Sequence, residues 1–143
     1  MTVKTILSQK GSHVATIAPT ATVADAAKEL SERKIGALVI KGAGGRLTGI
    51  VSERDIVRTL ALYGAEALKL PLTEVMTRKV VTCVPGDTIA GLMAQMTSGK
   101  FRHLPVIEDE KLIGIVSIGD VVKFRLAELE YEQTALRDYI QTA

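Results

Sequence analysis

Aromatic residues are scarce in this sequence: they make up 3% of 143 residues, and tryptophan is absent. A surface that stacks the bases of single-stranded nucleic acid needs aromatic faces, so the composition disfavours that class of function. The net charge is only +2, which is too small for a general nucleic-acid binder. We therefore expect no nucleic-acid partner.

Cysteine is nearly absent as well. Cys83 is the only one, and there are two histidines, so the sequence offers neither a disulfide framework nor a zinc site. No stretch approaches the ~20 uninterrupted apolar residues of a membrane-spanning helix, and the first residues lack the apolar run of a signal peptide. From these features we expect a cytoplasmic protein with no metal and no membrane contact.

What the sequence does contain is an internal duplication. Residues 14–19 (Val-Ala-Thr-Ile-Ala-Pro) return at 80–85 (Val-Val-Thr-Cys-Val-Pro), a shift of 80 − 14 = 66. Residues 49–57 return at 114–122 with Gly-Ile-Val-Ser-x-x-Asp in both copies, a shift of 114 − 49 = 65. Two copies of one unit are expected to pack face to face about a pseudo-two-fold axis. Function is then expected in paired sites that line a cleft between the copies.

Each copy predicts the element order β-α-β-β-α. Thr22, with Asp25 three residues later, is typical of a helix N-terminus. A continuous apolar run at 35–40 indicates a strand buried on both faces. In the first copy the predicted strands are 14–18, 35–40 and 46–52, with helices after Thr22 and from Arg54 to about Tyr63. In the second copy the predicted strands are 80–84, 101–107 and 111–117, with a helix stripe of Ile89, Leu92, Met93 and Met96.

A long C-terminal helix is predicted from Gly119 to about Gln141, since no glycine or proline interrupts that stretch after its start. Apolar positions spaced by four and three residues follow a heptad pattern: Val122, Leu126, Leu129, Gln133, Leu136 and Ile140. Two interpretations remain open: the helix packs on its own domain, or it pairs with a second copy.

The fold class is therefore α/β (α+β), with two β-α-β-β-α repeats and a C-terminal helix. The predicted boundaries are residues 1–70 for the first repeat with its N-terminal segment, 71–124 for the second repeat, and 125–143 for the helical extension.

The two Ser-x-x-Asp segments, Ser52 to Asp55 and Ser117 to Asp120, are the leading candidates for function. One interpretation is that each only caps a helix. The other uses the same geometry for a ligand, because a helix N-terminus suits a phosphate and a carboxylate can accept hydrogen bonds from the two vicinal hydroxyls of a ribose. The recurrence of the preceding Gly-Ile-Val favours the second interpretation.

A second candidate is the pair Arg102 and His103, which stands where the first copy has Gly36 and Ala37. A charge on a strand that heads into a core needs a partner. That partner is either a carboxylate such as Asp120 or a bound anion. The asymmetry predicts that the second repeat holds phosphate more strongly. No nucleophile, base or metal set converges in the sequence, so we expect no catalytic activity.

With these segments in view, residues 5–125 resemble a tandem pair of CBS domains (cystathionine β-synthase domains, or a Bateman module) of the stand-alone bacterial type. The resemblance rests on the β-α-β-β-α order, on Lys-Phe-Arg-His-Leu-Pro-Val at 100–106 and on the two Gly-Ile-Val-Ser-x-x-Asp segments. It implies a regulatory module for adenosine-containing ligands: AMP, ADP, ATP, NAD(H) or S-adenosylmethionine.

The resemblance also implies roles for particular residues. Asp55 and Asp120 would hold ribose hydroxyls, and Ser52 and Ser117 would contact phosphate. The other expected site residues are Arg102 and His103 at the phosphate, Thr16 and Thr82 at the adenine or phosphate end, and Ala37 and Pro105 beside them. Because Gly36 and Ala37 depart from the pattern, Lys34 and Arg54 would have to supply phosphate contacts in the first repeat.

The resulting hypothesis is a cytoplasmic, non-catalytic adenine-nucleotide sensor that binds AMP or a related nucleotide, with NAD(H) as a further candidate, and needs no catalytic cofactor. It would be a homodimer that signals to an unidentified protein. The dimer would cover apolar helix faces carrying Ile56, Val57 and Leu60 in one repeat and Val121 and Val122 in the other. The main alternative is a structural or protein-interaction module without a nucleotide, and the weaker one is an enzyme acting on a nucleotide.

Overall fold

The computed structural model describes residues 1–142. The helices are α1 (Val3–Lys10), α2 (Val23–Arg33), α3 (Glu53–Tyr63), α4 (Ile89–Gly99) and α5 (Ile118–Thr142). The strands are β1 (Thr16–Ile17), β2 (Ala37–Lys41), β3 (Leu47–Ser52), β4 (His103–Glu108) and β5 (Lys111–Ser117). This mixed α+β architecture with a long C-terminal helix confirms the predicted fold class.

The chain forms two compact units. The first-repeat unit comprises residues 14–81. The second-repeat unit comprises residues 1–13 and the chain from Thr82 onward. The sequence-based boundaries grouped residues 1–70, whereas in the structure residues 1–13 pack with the second repeat.

The first-repeat unit contains a three-stranded sheet in the order β1-β2-β3, in which β1 and β2 are parallel and β2 and β3 are antiparallel. Its first helix, α2, begins as predicted. The Thr22 hydroxyl accepts from the Asp25 amide at 3.2 Å, and the Asp25 carboxylate accepts from the Thr22 amide at 3.0 Å. The hydrogen bonds with Thr22 hold the pKa of Asp25 below its ordinary value, and the bond from the Thr22 amide has the larger effect.

The second-repeat unit contains an antiparallel hairpin of β4 and β5. Asp109 and Glu110 turn it with φ angles of 50° and 64°, as a tight hairpin with two left-handed residues requires.

The predicted strand at 80–84 is wrong: within the described chain this stretch forms only a single parallel bridge, from Cys83 to Val106. Cys83 makes both of its backbone bonds to β4, so the next amide that would face β4 is at position 85, where Pro85 has none to donate. The Val84 amide points away from β4 and donates to the Asp87 carboxylate at 2.9 Å.

Helix α1 enters the second-repeat unit through backbone bonds to the start of α4. The Val3 amide donates to the Asp87 carbonyl at 2.9 Å, and the Met1 carbonyl accepts from the Ile89 amide at 3.2 Å. Val3 and Ile6 are fully buried in the core of this unit. This packing explains why residues 1–13 belong there.

The first-repeat unit uses the same pair of bonds with a different segment. The Leu72 amide donates to the Ala21 carbonyl at 2.9 Å, and the Leu70 carbonyl accepts from the Val23 amide at 2.9 Å. Leu72 is fully buried. The duplication therefore includes the segment that precedes each repeat, and each unit is completed by the segment that precedes the other repeat in sequence.

Burial corrects the apolar faces expected on α3 and α5. Ile56 is 7% exposed and Val121 is fully buried, and each belongs to the core of its own unit. Val57, Leu60 and Val122 are 65%, 37% and 38% exposed, so these three do lie on accessible apolar faces. Among residues 1–142, no helix is long and apolar enough to cross a membrane.

Candidate functional site

The start of α5 is fixed by the Ser117–Asp120 pair. The Ser117 amide donates to Asp120 Oδ2 at 2.9 Å, and the Asp120 amide donates to Ser117 Oγ at 3.1 Å. These reciprocal bonds satisfy two of the amides that a helix N-terminus leaves without partners. The capping interpretation of this segment is thus confirmed, and the same bonds hold the carboxylate at the helix start.

Strand register brings Arg102 and His103 to this helix start. His103 lies directly opposite Ser117 in the β4–β5 ladder, and directly opposed residues project from the same face of a sheet. The Ile118 amide, in the first turn of α5, donates to the Arg102 carbonyl at 2.7 Å. Arg102 is exposed and His103 is half-buried, and the contact of Arg102 with the first turn of α5 is made by its backbone carbonyl.

The carboxylate of Asp120 is paired with Lys10, at the end of α1. Lys10 Nζ lies 2.5 Å from Asp120 Oδ2 and also donates to the Ile115 carbonyl at 2.8 Å. Partial burial opposes ionisation of Asp120, but the Lys10 bond and the Ser117 amide bond outweigh it and hold its pKa below the ordinary value.

Sequence reasoning considered Arg102 as the partner of Asp120 and missed Lys10. The ion pairs of the described chain include Lys10 with Asp120, and none includes Arg102. Lys10 lies 110 residues before Asp120, and only the packing of α1 on β5 brings the two together. No sequence pattern could have indicated the pair.

The equivalent helix start in the first-repeat unit is more enclosed. The Ser52 amide donates to Asp55 Oδ2 at 2.9 Å, the Ser52 hydroxyl donates to the same oxygen at 3.1 Å, and the Asp55 amide donates to Ser52 Oγ at 3.4 Å. Arg58 Nη2 donates to Asp55 Oδ1 at 2.6 Å. The Asp55 side chain is 8% exposed, against 24% for Asp120.

The two residues that face that helix start, Gly36 and Ala37, have no charged side chain. Ala37, which is buried, lies opposite Ser52 in the β2–β3 ladder, and the Glu53 amide donates to the Gly36 carbonyl at 3.0 Å. Arg54 is exposed on the first turn of α3. The backbone of the second-repeat site thus recurs here without the guanidinium and imidazole.

The remaining predicted site residues lie on or beside the first strand of each unit. Thr16 is exposed and pairs with Val39 across β1 and β2. Thr82 is exposed and precedes Cys83, whose amide donates to the carbonyl of buried Pro105 at 3.0 Å. Thr82 therefore lies next to one edge of β4, whereas Ser117, on β5, lies along the other edge.

In chemical terms, the start of α5 supplies an ionised carboxylate and a hydroxyl, and the adjoining end of β4 carries an exposed arginine and an imidazole. Cations and a helix N-terminus suit an anion such as phosphate, and a carboxylate suits hydroxyl donors. Within residues 1–142, no group of three or more His, Cys, Asp and Glu side chains could hold a metal ion.

Comparison with known proteins gives a consistent family. Residues 3–62 and 72–127 each match the family model of the CBS domain, so the matches cover both repeats and most of the chain. Among curated proteins, the chain is 38% identical over 124 residues to the CBS domain-containing protein CBSX3, mitochondrial, of Arabidopsis thaliana. The alignment covers 84% of this chain and 60% of that protein, so the chain spans less than two thirds of its length.

Solved structures agree with this match. A CBS-domain containing protein from Agrobacterium tumefaciens is 45% identical with a TM-score of 0.85, covering 87% of this chain and 92% of that one. The CBS domain pair of protein MJ0100, crystallised in complex with 5′-methylthioadenosine and S-adenosyl-L-methionine, is 27% identical with a TM-score of 0.78, covering 90% and 98%. A hexameric CBS-CP12 protein from bloom-forming cyanobacteria is 29% identical with a TM-score of 0.74, covering 85% and 69%.

Proposed function

Because the chain belongs to the CBS-domain family, we propose that it is a non-catalytic regulatory module that binds an adenosine-containing nucleotide (AMP, ADP, ATP or NAD(H)), chiefly through its second-repeat unit. The observation that carries the proposal is the grouping of Asp120, Ser117, Arg102 and His103 at the start of α5. The crystallised complex of the MJ0100 pair with two adenosine compounds supports the choice of ligand class.

Asp120 is the proposed ribose contact. Its hydrogen bonds to Ser117 and Lys10 both end on Oδ2, and among residues 1–142 no hydrogen bond to Oδ1 is found. The side chain is 24% exposed, so Oδ1 is available to accept from ribose hydroxyls. A hydrogen bond to a charged acceptor contributes roughly 1.5–3 kcal/mol.

Arg102, His103 and Ser117 are the proposed phosphate contacts. Arg102 is exposed and its backbone adjoins the first turn of α5, and a guanidinium binds phosphate oxygens in a charge-assisted geometry. Because Lys10 neutralises Asp120, the carboxylate does not cancel the positive charge offered to the phosphate.

The first-repeat unit is proposed to bind a nucleotide weakly. Both oxygens of Asp55 already accept hydrogen bonds, from Ser52 and Arg58, and Gly36 and Ala37 offer no phosphate donor from their side chains. Arg54 is the nearest substitute on α3, and Thr16 remains a proposed contact for the other end of a ligand.

Binding is tested by isothermal titration calorimetry with AMP, ADP, ATP, NADH and S-adenosylmethionine, with GMP as the control for the base. We expect one nucleotide per chain, with a micromolar dissociation constant for at least one adenosine compound and much weaker binding of GMP. If none of the five compounds binds, the nucleotide proposal fails and the protein-interaction alternative takes its place.

An exposed apolar row on α5 supports self-association of the chain, whether or not it binds a nucleotide. From Leu126 onward, α5 exposes a row of apolar side chains: Leu126, Leu129, Leu136 and Ile140 are 56%, 43%, 60% and 65% exposed. Their spacing is that of a helix-pairing seam, and we propose that a second copy of the chain covers it in a homodimer. The downstream protein partner and the cytoplasmic location remain predictions.

A further inference from the structure

The carboxylates of Asp55 and Asp120 occupy equivalent positions but differ in how their counter-cations bind them. Arg58 lies on the same helix as Asp55, three residues later, and takes Oδ1. Lys10 reaches Asp120 from α1 and takes Oδ2, the oxygen that already accepts from the Ser117 amide. Both oxygens of Asp55 therefore accept hydrogen bonds. In Asp120, the bonds from Lys10 and from the Ser117 amide both end on Oδ2.

Lys10 is itself held in place by a second contact. Its ammonium donates to the Ile115 carbonyl of β5 at 2.8 Å, and Leu7, one turn earlier on α1, packs on Gly114 of the same strand. The Lys10 side chain is 31% exposed. A charge fixed between a strand carbonyl and a carboxylate oxygen restricts the carboxylate to one orientation.

We propose that Lys10 is a positioning residue for ribose recognition: it binds Oδ2 of Asp120 and so presents Oδ1 toward the ribose hydroxyls. The inference rests on the proposed nucleotide site and extends it to α1, a segment outside the repeated Ser-x-x-Asp motif.

The positioning role predicts a loss of affinity only for nucleotides that carry ribose hydroxyls. Without Lys10, only the Ser117 amide restrains Oδ2 of Asp120, so the carboxylate is held less firmly. AMP should then lose affinity while 2′,3′-dideoxy-AMP, which has no such hydroxyls, should not. A Lys10 that contacted phosphate, or merely supported the fold, would affect both nucleotides equally. The ratio of their dissociation constants therefore isolates the positioning role.

The experiment measures both dissociation constants by calorimetry on the full chain for wild type, Lys10→Met, Lys10→Arg and Lys4→Met. Lys4 is exposed on the same helix, and no ion pair of the described residues includes it, so it controls for loss of one charge. We expect wild type and Lys4→Met to prefer AMP by roughly tenfold or more. Lys10→Met should reduce that preference by about threefold to tenfold, and Lys10→Arg should restore most of it.

An unchanged preference in Lys10→Met, or an equal loss for both nucleotides, overturns the positioning role and leaves the nucleotide site intact. Failure of wild type to bind any adenosine compound overturns the nucleotide site and this inference together. Circular dichroism of each variant confirms that folded protein is being compared.

Discussion

The Leu7 side chain fills the space beside Gly114, where an added Cβ would lie 2.7 Å from Leu7 Cδ2. In the other unit, a Cβ on Gly49 would lie 2.8 Å from both Met76 Sδ and the Thr77 carbonyl oxygen. Each repeat thus carries a glycine in its last strand because the segment that precedes the other repeat packs directly against that strand. The repeated Gly-Ile-Val-Ser motif is therefore structural at its first position.

These contacts predict that Gly49→Ala and Gly114→Ala lower the free energy of unfolding by different amounts. Gly49→Ala should lower the free energy of unfolding by about 1–3 kcal/mol, because the Thr77 carbonyl belongs to the backbone and cannot turn aside. Gly114→Ala should cost less, since Leu7 can change rotamer. Urea denaturation measures both, with Gly86→Ala as the control because nothing lies within 4 Å of a Cβ there. A larger loss for Gly114→Ala would contradict the explanation.

Local patterns predicted most of the fold. The Thr22–Asp25 cap, the buried run that became β2 and the uninterrupted stretch that became α5 are each determined by neighbouring residues. The strand expected around Cys83 was wrong because the ladder to β4 cannot continue at Pro85, which has no amide to donate. Apolar content alone does not reveal where such a ladder ends.

The candidate site was predictable only in part. The duplication located Ser117 and Asp120, and the contrast with Gly36 and Ala37 singled out Arg102 and His103. The pairing of Asp120 with Lys10 depends on where α1 packs, and nothing near Lys10 in sequence indicates that contact.

The two equivalent carboxylates should differ in their effect on nucleotide binding. Asp120→Asn should raise the dissociation constant for AMP about tenfold to hundredfold, because a charged hydrogen-bond acceptor is lost. Asp55→Asn is the matched variant, and it should change the affinity less than about threefold, since both oxygens of Asp55 are already occupied within the unit. Titration calorimetry decides the point, and equal losses for the two variants would show that both repeats bind.

Arg102 should act on phosphate and not on the nucleoside. Arg102→Ala should weaken AMP or ATP at least about tenfold while leaving adenosine nearly unchanged, because only the phosphate loses a charge-assisted partner. The affinity of wild type for AMP should also fall as salt rises. Lys111→Ala is the control, since Lys111 is an exposed cation at the opposite end of β5. An equal loss for adenosine would mean that Arg102 supports the fold.

The Lys10–Asp120 pair should make stability depend on pH. The folded-state pKa of Asp120 lies below its ordinary value of 3.8, so the pair stabilises the fold at pH values above 3.8 and loses that contribution as pH falls through the lower folded-state pKa. Wild type should exceed Lys10→Met by up to about 1 kcal/mol at neutral pH, since both groups are partly exposed. That difference should shrink toward zero well below pH 3.8, as measured by urea denaturation. A difference that is constant with pH would mean that the loss comes from packing.

The exposed row on α5 should control assembly. Replacing Leu136 and Ile140 with aspartate places charges in the proposed seam and should shift the protein from dimer to monomer, because burying an unpaired charge costs several kcal/mol. Thr134→Asp is the control: it adds one negative charge at an exposed position next to the seam residue Gln133, and adjacent helix positions do not share a face. Truncation after Phe124 should also weaken the dimer, while Val121 and Phe124 remain to fill the core of the unit.

Sedimentation equilibrium at micromolar concentration measures the mass of each variant against the 15.3 kDa of one chain. The same samples are then titrated with AMP, because the seam and the nucleotide site share no residue and assembly should be separable from binding. Retained AMP affinity in the monomeric double variant would support that separation. A wild type that sediments as a monomer would refute the homodimer and leave the apolar row of α5 for a different protein partner.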